Sequence, residues 1–207
     1  MIGIIDYGMG NLGSVTNAFR FLELDAKIVS SRQEMDSCRA LILPGVGAFG
    51  DCMRHLVEHD FVESIEGWVR GGKPLMGICL GLQALFESSE ESPDVPGLGI
   101  FAGTVKKFDL PRELKVPQIG WNRMVEVQPD CPMFEGIDDR SFFYLVHSYY
   151  VFPANEAIVA GRTDYGVDYC SSVWHENVFA TQFHPEKSQS AGLRMLRNFW
   201  NWAEHTY

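Results

Sequence analysis

The sequence predicts an α/β protein built on a largely parallel sheet that is covered by helices on both faces, with antiparallel strands appended to it. Three observations carry this prediction. From the N-terminus to about residue 80, short apolar runs alternate with helix-period segments, the order expected of parallel strands joined by helical crossovers. From Gly103 onward the texture changes to short strand-like runs without intervening helices. Between the two, Gly77-Ile78-Cys79-Leu80-Gly81 sets a cysteine on a strand-to-helix turn with a glycine two residues to either side, the cysteine counterpart of a nucleophile elbow. A chain of 207 residues is long enough for a sizeable core, and residues 1–207 are expected to form one domain.

Ile2–Ile5 reads as a first buried strand, followed by a helix through Val15, Ala18, Phe19 and Leu22. The turn between them, Gly8-Met9-Gly10-Asn11-Leu12-Gly13, is a literal G-x-G-x-x-G, so a dinucleotide fingerprint has to be weighed. The second strand, Ala26–Val29, ends in Ser30-Ser31-Arg32; Asp25 comes before it and Glu34 late, so no acidic residue stands at its tip to take a ribose hydroxyl. The turn is therefore read as a glycine-rich strand-to-helix connection. Ala40–Leu43 is a third strand, broken by Pro44-Gly45-Val46-Gly47-Ala48-Phe49-Gly50, whose glycines let backbone N–H groups be aimed at a ligand. Helices over Asp51–His59 and Phe61–Arg70 lead to the strand Pro74–Ile78 and the elbow. Leu82, Leu85 and Phe86 then fall at helical spacing over Leu80–Ser88, and the acidic Glu87–Pro93 ends that helix as a solvated run. The later strands are Thr104–Phe108, Arg123–Val127, Phe142–Val146, Ile158–Arg162, Ser172–Trp174 and Val178–Phe183, the last two joined as a hairpin through Glu176-Asn177. A closing helix carries Leu193, Leu196, Phe199, Trp200 and Ala203 on one face.

Seventeen basic against 27 acidic residues give a net charge of −10, with no basic cluster, which argues against nucleic acid or an anionic membrane as partner. The five cysteines, Cys38, Cys52, Cys79, Cys131 and Cys170, are odd in number and widely spaced, which fits a reducing cytoplasm better than a disulfide framework, and no cluster has metal-ligand spacing. The start Met1–Asp6 has no basic residue and meets Asp6 early, unlike a signal peptide, and no apolar run approaches the roughly 20 residues of a membrane span.

Two readings of Cys79 stand on its own stretch: a small buried hydrophobe after a strand, or a nucleophile whose thiolate is favoured by a helix N-terminus and a neighbouring base. A base is available in His184-Pro185-Glu186. In extended backbone, which Pro185 favours at His184, residues two apart project to one side, so the carboxylate can hold the imidazole. Nucleophile, base and orienter together fill every role that thiol catalysis needs.

With these residues the chain resembles the triad-type, class I glutamine amidotransferases. Ile5–Asn11, Pro44–Gly47, Pro117–Asn122 and Val146–Tyr149 narrow the resemblance to the glutaminase subunits of imidazole glycerol phosphate synthase. The resemblance covers nearly the whole chain; Gln118 departs from it, where histidine is common. It implies a three-layer α/β/α sandwich around a mixed sheet, with Cys79 attacking the side-chain amide of glutamine, His184 moving protons and Glu186 orienting His184. It places the oxyanion at the Leu80 N–H with a donor from Val46 or Gly47, and glutamine against Gly45, Gln83, Glu91, Ser148 and Tyr149. It also implies a heterodimer with a separate (β/α)₈-barrel cyclase near Asn11, Trp121, Tyr144 and Lys187, and no cofactor or metal. Nothing in the spacing of His147 supports a second base over a structural role. Two alternatives stay open. One is the glutaminase of another amidotransferase such as pyridoxal phosphate synthase, against which Pro44–Gly47 and Gly120–Asn122 argue. The other is a non-catalytic dinucleotide-binding module on Gly8–Gly13.

Overall fold

In the computed structural model, which describes residues 1–126 and 128–206, the alternation seen in the first part of the chain becomes a doubly covered sheet. The order is β1 Ile2–Ile5, α1 Leu12–Phe21, β2 Ala26–Val29, α2 Arg32–Asp36, β3 Ala40–Gly45, α3 Phe49–Glu58, α4 Phe61–Arg70, β4 Leu75–Cys79, α5 Leu80–Ala84 and β5 Phe86–Ser89. It continues with β6 Phe101–Lys107, β7 Gln118–Arg123, β8 Val125–Glu126, β9 Phe142–His147, β10 Tyr149–Pro153, β11 Val159–Asp164, β12 Asp168–His175, β13 Val178–Thr181 and α6 Gln189–Thr206.

The main sheet runs β2-β1-β3-β4-β13-β12-β10-β6-β5, with β11 beside β12 and β8 beside β11. From β2 to β13 every pairing is parallel; from β13 through β12 and β10 to β6 every pairing is antiparallel. The strand β13 thus joins the two halves of the sheet. Period-two alternation decides which helix each strand side chain meets. In β3, Leu41 and Leu43 pack with Phe49, Cys52 and Leu56 of α3 and Phe61, Ile65 and Trp68 of α4. Ala40 and Ile42 pack on the other face with Val15 and Phe19 of α1 and Met195, Leu196 and Phe199 of α6. This is the three-layer sandwich expected. No helix among the described residues is long and apolar enough to cross a membrane.

The structure corrects the sequence reading in several places. The helix expected over Leu80–Ser88 stops at Ala84, and Phe86–Ser89 is an edge strand. The carbonyls that a longer helix would use are taken from outside: Leu98 N–H donates to Ala84 O at 2.8 Å, Phe101 N–H to Leu85 O at 3.0 Å and Gly97 N–H to Glu87 O at 2.9 Å. The acidic run that follows is not merely solvated, because Glu87, Glu90 and Glu91 accept from the backbone N–H groups of Gly103, Lys107 and Phe49. The strand read over Arg123–Val127 is broken at Met124, and Val127 lies outside the described residues. Its N-terminal part belongs instead to β7, which begins at Gln118 and pairs with β9 as a separate two-stranded ribbon rather than in the main sheet. The short helix α2 and the strand β10 were not foreseen.

Candidate active site

Cys79 ends β4 and immediately precedes α5 with φ 55° and ψ −108°, a positive-φ conformation that residues bearing a side chain rarely adopt. Strain of this kind costs on the order of 1–3 kcal/mol and persists only where the surroundings over-determine it. Here the flanking glycines allow it. A Cβ on Gly81 would stand 1.9 Å from the Leu43 carbonyl oxygen, and one on Gly77 would stand 3.0 Å from Gly81 and from the Ala180 side chain. Only glycine lets the turn lie this close to β3 and β13. Because α5 is five residues long, its dipole is a smaller help to the thiolate than the sequence implied.

The strands β4 and β13 are neighbours, with Ile78 opposite Thr181, so the residues that follow each strand meet at one sheet edge. His184 Nδ1 lies 2.8 Å from Glu186 Oε1, and both side chains are buried. The pairing does not come from extended backbone throughout. His184 is extended, but Pro185–Lys187 is a 3-10 turn, which folds Glu186 back under the imidazole. A carboxylate oxygen accepts, so Nδ1 carries the proton and Nε2 is presented to the cavity. Nε2 is buried, and the Cys79 thiol lies near it, interacting with the ring both as a hydrogen-bonding neighbour and through charge. Burial alone would lower the His184 pKa; the Cys79 sulfur and the Glu186 carboxylate outweigh it and raise the pKa, favouring an imidazolium.

Cys79 and His184 open into a cavity of about 270 Å³ lined also by Val46, Gly47, Leu80, Gln83, Glu91 and Ser148. That is the small end of ligand pockets, suited to a single amino acid. Leu80 is the first residue of α5, so its N–H has no partner within the helix. Gly47 holds φ at 102°, which an L side chain rarely adopts, and Val46 beside it is 40% exposed. Gly45 is behind this wall rather than in it: it faces Cys79 across the β3–β4 pair, and a Cβ there would meet Leu80 and the Tyr7 hydroxyl at 2.8 Å. Tyr149 and His147 also line the cavity. Glu91 is partly committed already, since its Oε2 accepts the Phe49 N–H at 2.8 Å and so caps α3, whose own N-cap residue Ala48 has no side-chain bond.

His147 is held as a structural group. Its Nδ1 donates to the Tyr149 carbonyl at 2.8 Å, and its Nε2 stands 3.2 Å from the Tyr169 hydroxyl, which donates to Gln118 Oε1 at 2.9 Å. Burial pushes its pKa down to about 4, so it stays neutral. Gln118, the departure noted in the sequence, thus fills a buried place in this chain of polar groups.

Three of the four residues expected near a partner, Trp121, Tyr144 and Lys187, lie close to His184, with the Tyr144 and His184 ring centroids 6.3 Å apart. Trp121 is 46% exposed on β7 and meets Tyr144 of β9 edge-on, with ring centroids 5.8 Å apart; Lys187 Nζ lies 5.8 Å from the Tyr144 ring. The Tyr144 carbonyl accepts the His184 N–H at 2.9 Å, so the ribbon is one hydrogen bond from the His184 backbone. Asn11 caps α1 by accepting the Ser14 N–H.

Two site residues escaped the sequence reading. Tyr7 donates its hydroxyl to the Pro44 carbonyl at 2.8 Å, and burial pushes its pKa far up, so it remains a neutral donor under the start of the glycine loop. Gln182 is fully buried, and its amide reaches Cys79 Sγ at 3.7 Å. Both stood inside quoted motifs, but nothing in one sequence reveals a contact across strands.

Comparison with known proteins agrees with this geometry. The family model for class-I glutamine amidotransferases matches residues 3–202. The HisH subunit of imidazole glycerol phosphate synthase from Methanothermobacter thermautotrophicus is 50% identical over 199 residues, covering 96% of this chain and 97% of that protein. Its counterpart from Syntrophotalea carbinolica is 48% identical over 204 residues, covering 96% and 98%. Among solved structures, a glutamine amidotransferase superposes with a TM-score of 0.74 at 23% identity over 98% of both chains. A chain of PurLQS from Thermotoga maritima gives 0.77 at 19% over 97% of both. At these identities the two structures speak for the fold. The chain therefore belongs to the class-I glutamine amidotransferases and, within them, to the family of HisH subunits of imidazole glycerol phosphate synthase.

Proposed function

We propose that the chain hydrolyses glutamine to glutamate and ammonia through a Cys79–His184–Glu186 triad and delivers the ammonia to a separate cyclase subunit in histidine biosynthesis. The observation that carries this reading is the buried His184–Glu186 pair, 2.8 Å apart, beside an elbow cysteine, with both opening into an amino-acid-sized cavity. The Cys79 sulfur adds to the side-chain carbonyl carbon of glutamine, and the oxygen that becomes negative is received by the Leu80 N–H and by Val46 or Gly47. Such a donor is worth roughly 10²–10³ in rate. His184 gives its proton to the nitrogen, ammonia leaves, and a γ-glutamyl thioester remains. Water then adds, His184 takes its proton, and glutamate departs as the sulfur is restored.

Glutamine is held by its head groups. Both Nε2 hydrogens of Gln83 are committed, to the Tyr149 carbonyl at 3.0 Å and to Gln182 Oε1 at 3.1 Å, so its Oε1 is the atom left to accept from a substrate ammonium. Glu91 supplies the opposing charge, with Ser148 and Tyr149 beside it. The partner is a (β/α)₈-barrel cyclase, in a heterodimer that covers Asn11, Trp121, Tyr144 and Lys187. The exposure of Trp121 together with Ile119 at 64% supports a covered face there. The cyclase would spend the ammonia on a ribulosyl aminoimidazole ribotide, giving imidazole glycerol phosphate and an aminoimidazole carboxamide ribotide.

The test is Cys79→Ala in the complex. Glutamine-dependent synthesis should fall by more than about 10³-fold while synthesis from free ammonia persists, because the thiol serves only to release ammonia. Glutaminase activity surviving in the pure variant would refute the triad.

A further inference from the structure

We propose that Gln182 is a positioning residue that holds the Cys79 sulfur and favours its ionised form, and that Gln83 and the Tyr149 carbonyl dictate which way round the Gln182 amide sits. The proposal rests on the reading of Cys79 as the nucleophile and adds to it a donor outside the triad.

Gln182 follows β13 directly and is 0% exposed. Its backbone is pinned, since its N–H donates to the Ser171 carbonyl at 2.8 Å. Its side chain spans the gap between the two strands of the site, reaching Gln83 at one end and Cys79 at the other. An amide can be set either way round in a pocket, and only its partners decide the matter. Here one partner has no choice. The Tyr149 carbonyl can only accept, so Gln83 must turn its Nε2 there, at 3.0 Å. The second hydrogen of that Nε2 then points at Gln182, at 3.1 Å, and only an oxygen can receive it. Gln182 must therefore present Oε1 to Gln83 and Nε2 to the sulfur, at 3.7 Å. Turned over, it would oppose two NH₂ groups and set a carbonyl oxygen against the sulfur's developing negative charge.

The Gln182 amide is a neutral donor within reach of the sulfur, beside the His184 imidazole that also interacts with it. The division of labour follows. His184 exchanges the proton, and the Gln182 N–H marks where the sulfur rests and bonds more strongly to it once charged, since a bond to an ionised acceptor is about twice as strong as a neutral one. The polarity is relayed from a main-chain carbonyl through two buried amides, so it needs no charged group beside the thiol. Gln182 does not line the cavity, so its effect on glutamine itself should be small.

The test compares Gln182→Leu and Gln182→Met with wild type in the full chain and its complex. The rate of Cys79 alkylation by iodoacetamide is followed against pH, with Cys79→Ala as the blank for the other cysteines. Glutaminase kcat and KM are measured per alkylatable site. Loss of a hydrogen bond to a charged acceptor should move the midpoint of the alkylation profile to higher pH by about 1–2 units and lower kcat about 10–100-fold, with KM changed less than about threefold. Gln182→Met keeps the length of the side chain and removes the N–H without adding a charge, so it gives the same answer should the leucine variant fold poorly. A merely structural Gln182 would reduce the number of reactive sites and leave the midpoint and the kcat per site where they were; that result overturns the proposal. The underlying reading fails separately, if Cys79→Ala remains a glutaminase.

Discussion

Glu186 is the residue at which charge and shape can be separated. Its carboxylate holds His184 Nδ1 at 2.8 Å and is one of the groups that favour the imidazolium. Gln in its place keeps the outline and an acceptor oxygen but removes the charge. We expect Glu186→Gln to lower kcat roughly 10²–10⁴-fold with the fold intact, checked by steady-state glutaminase assays beside circular dichroism. An unchanged rate would make the site a dyad. At this scale the sequence was most legible where chemistry imposes a residue type. Cysteine between glycines, and histidine two before glutamate, are patterns whose roles can be named before the fold is known. Gln182 was illegible for the opposite reason, since an amide's role is set by which neighbour claims its oxygen, and those neighbours are Gln83 and Tyr149, far away in the chain.

Among the elements, α3 is tied to the site through a borrowed cap. Its first N–H, at Phe49, is satisfied by Glu91, which also lines the cavity and, in the function proposed, would face the ammonium of glutamine. The two duties respond differently to substitution. Glu91→Ala should lower stability by about 1 kcal/mol, the value of a helix cap, and raise KM as well. Glu91→Gln can still accept the Phe49 N–H, so KM should rise while the urea midpoint stays near wild type. Unfolding curves and glutamine saturation curves on the two variants check this pair of outcomes. The elbow helix shows where reading elements from spacing fails. Leu82, Leu85 and Phe86 fit a helical face, yet the carbonyls of Ala84, Leu85 and Glu87 are claimed by residues 97–101, and tertiary hydrogen bonds override local periodicity. The central parallel strands were legible because they are bounded runs of buried apolar residues, as in β1 and β3. The strand β10 was not, because Tyr149 and Tyr150 are only partly buried and Phe152 is exposed, leaving no run of buried apolar residues.

For the molecule as a whole, acid should be the more damaging direction of pH. His147 is neutral in the fold, with its pKa pushed by burial from 6.5 to about 4. Below pH 6.5 the unfolded chain binds a proton there that the folded chain refuses. The stability is thus present above that pH and is lost as pH falls towards 4, by roughly 3 kcal/mol at 1.4 kcal/mol per unit. His184 behaves oppositely: its raised pKa leaves it protonated in both states below 6.5, so its contribution is constant in acid and is lost only as pH rises. Urea midpoints measured from pH 7 to pH 4 should fall, and His147→Gln should flatten the fall. A slope unchanged in the variant would place the acid sensitivity elsewhere. Fold class was readable at this scale from the order of the elements. The ribbon of β7 and β9 was not, since pairing outside the main sheet leaves no mark in either strand alone.

The position of β13 has a consequence for how the protein comes into being. It fills the middle of the main sheet, between β4 and β12, yet it is the last strand of the chain, and His184 and Glu186 come directly after it. During synthesis the half-sheet that bears Cys79 and the half-sheet beyond β12 must wait with facing edges unpaired, a state that folds slowly and is prone to aggregate. Throughout that wait Cys79 is without His184 beside it. On the proposed mechanism, a chain released before β13 is complete would lack the means to hydrolyse glutamine as well as the closed sheet.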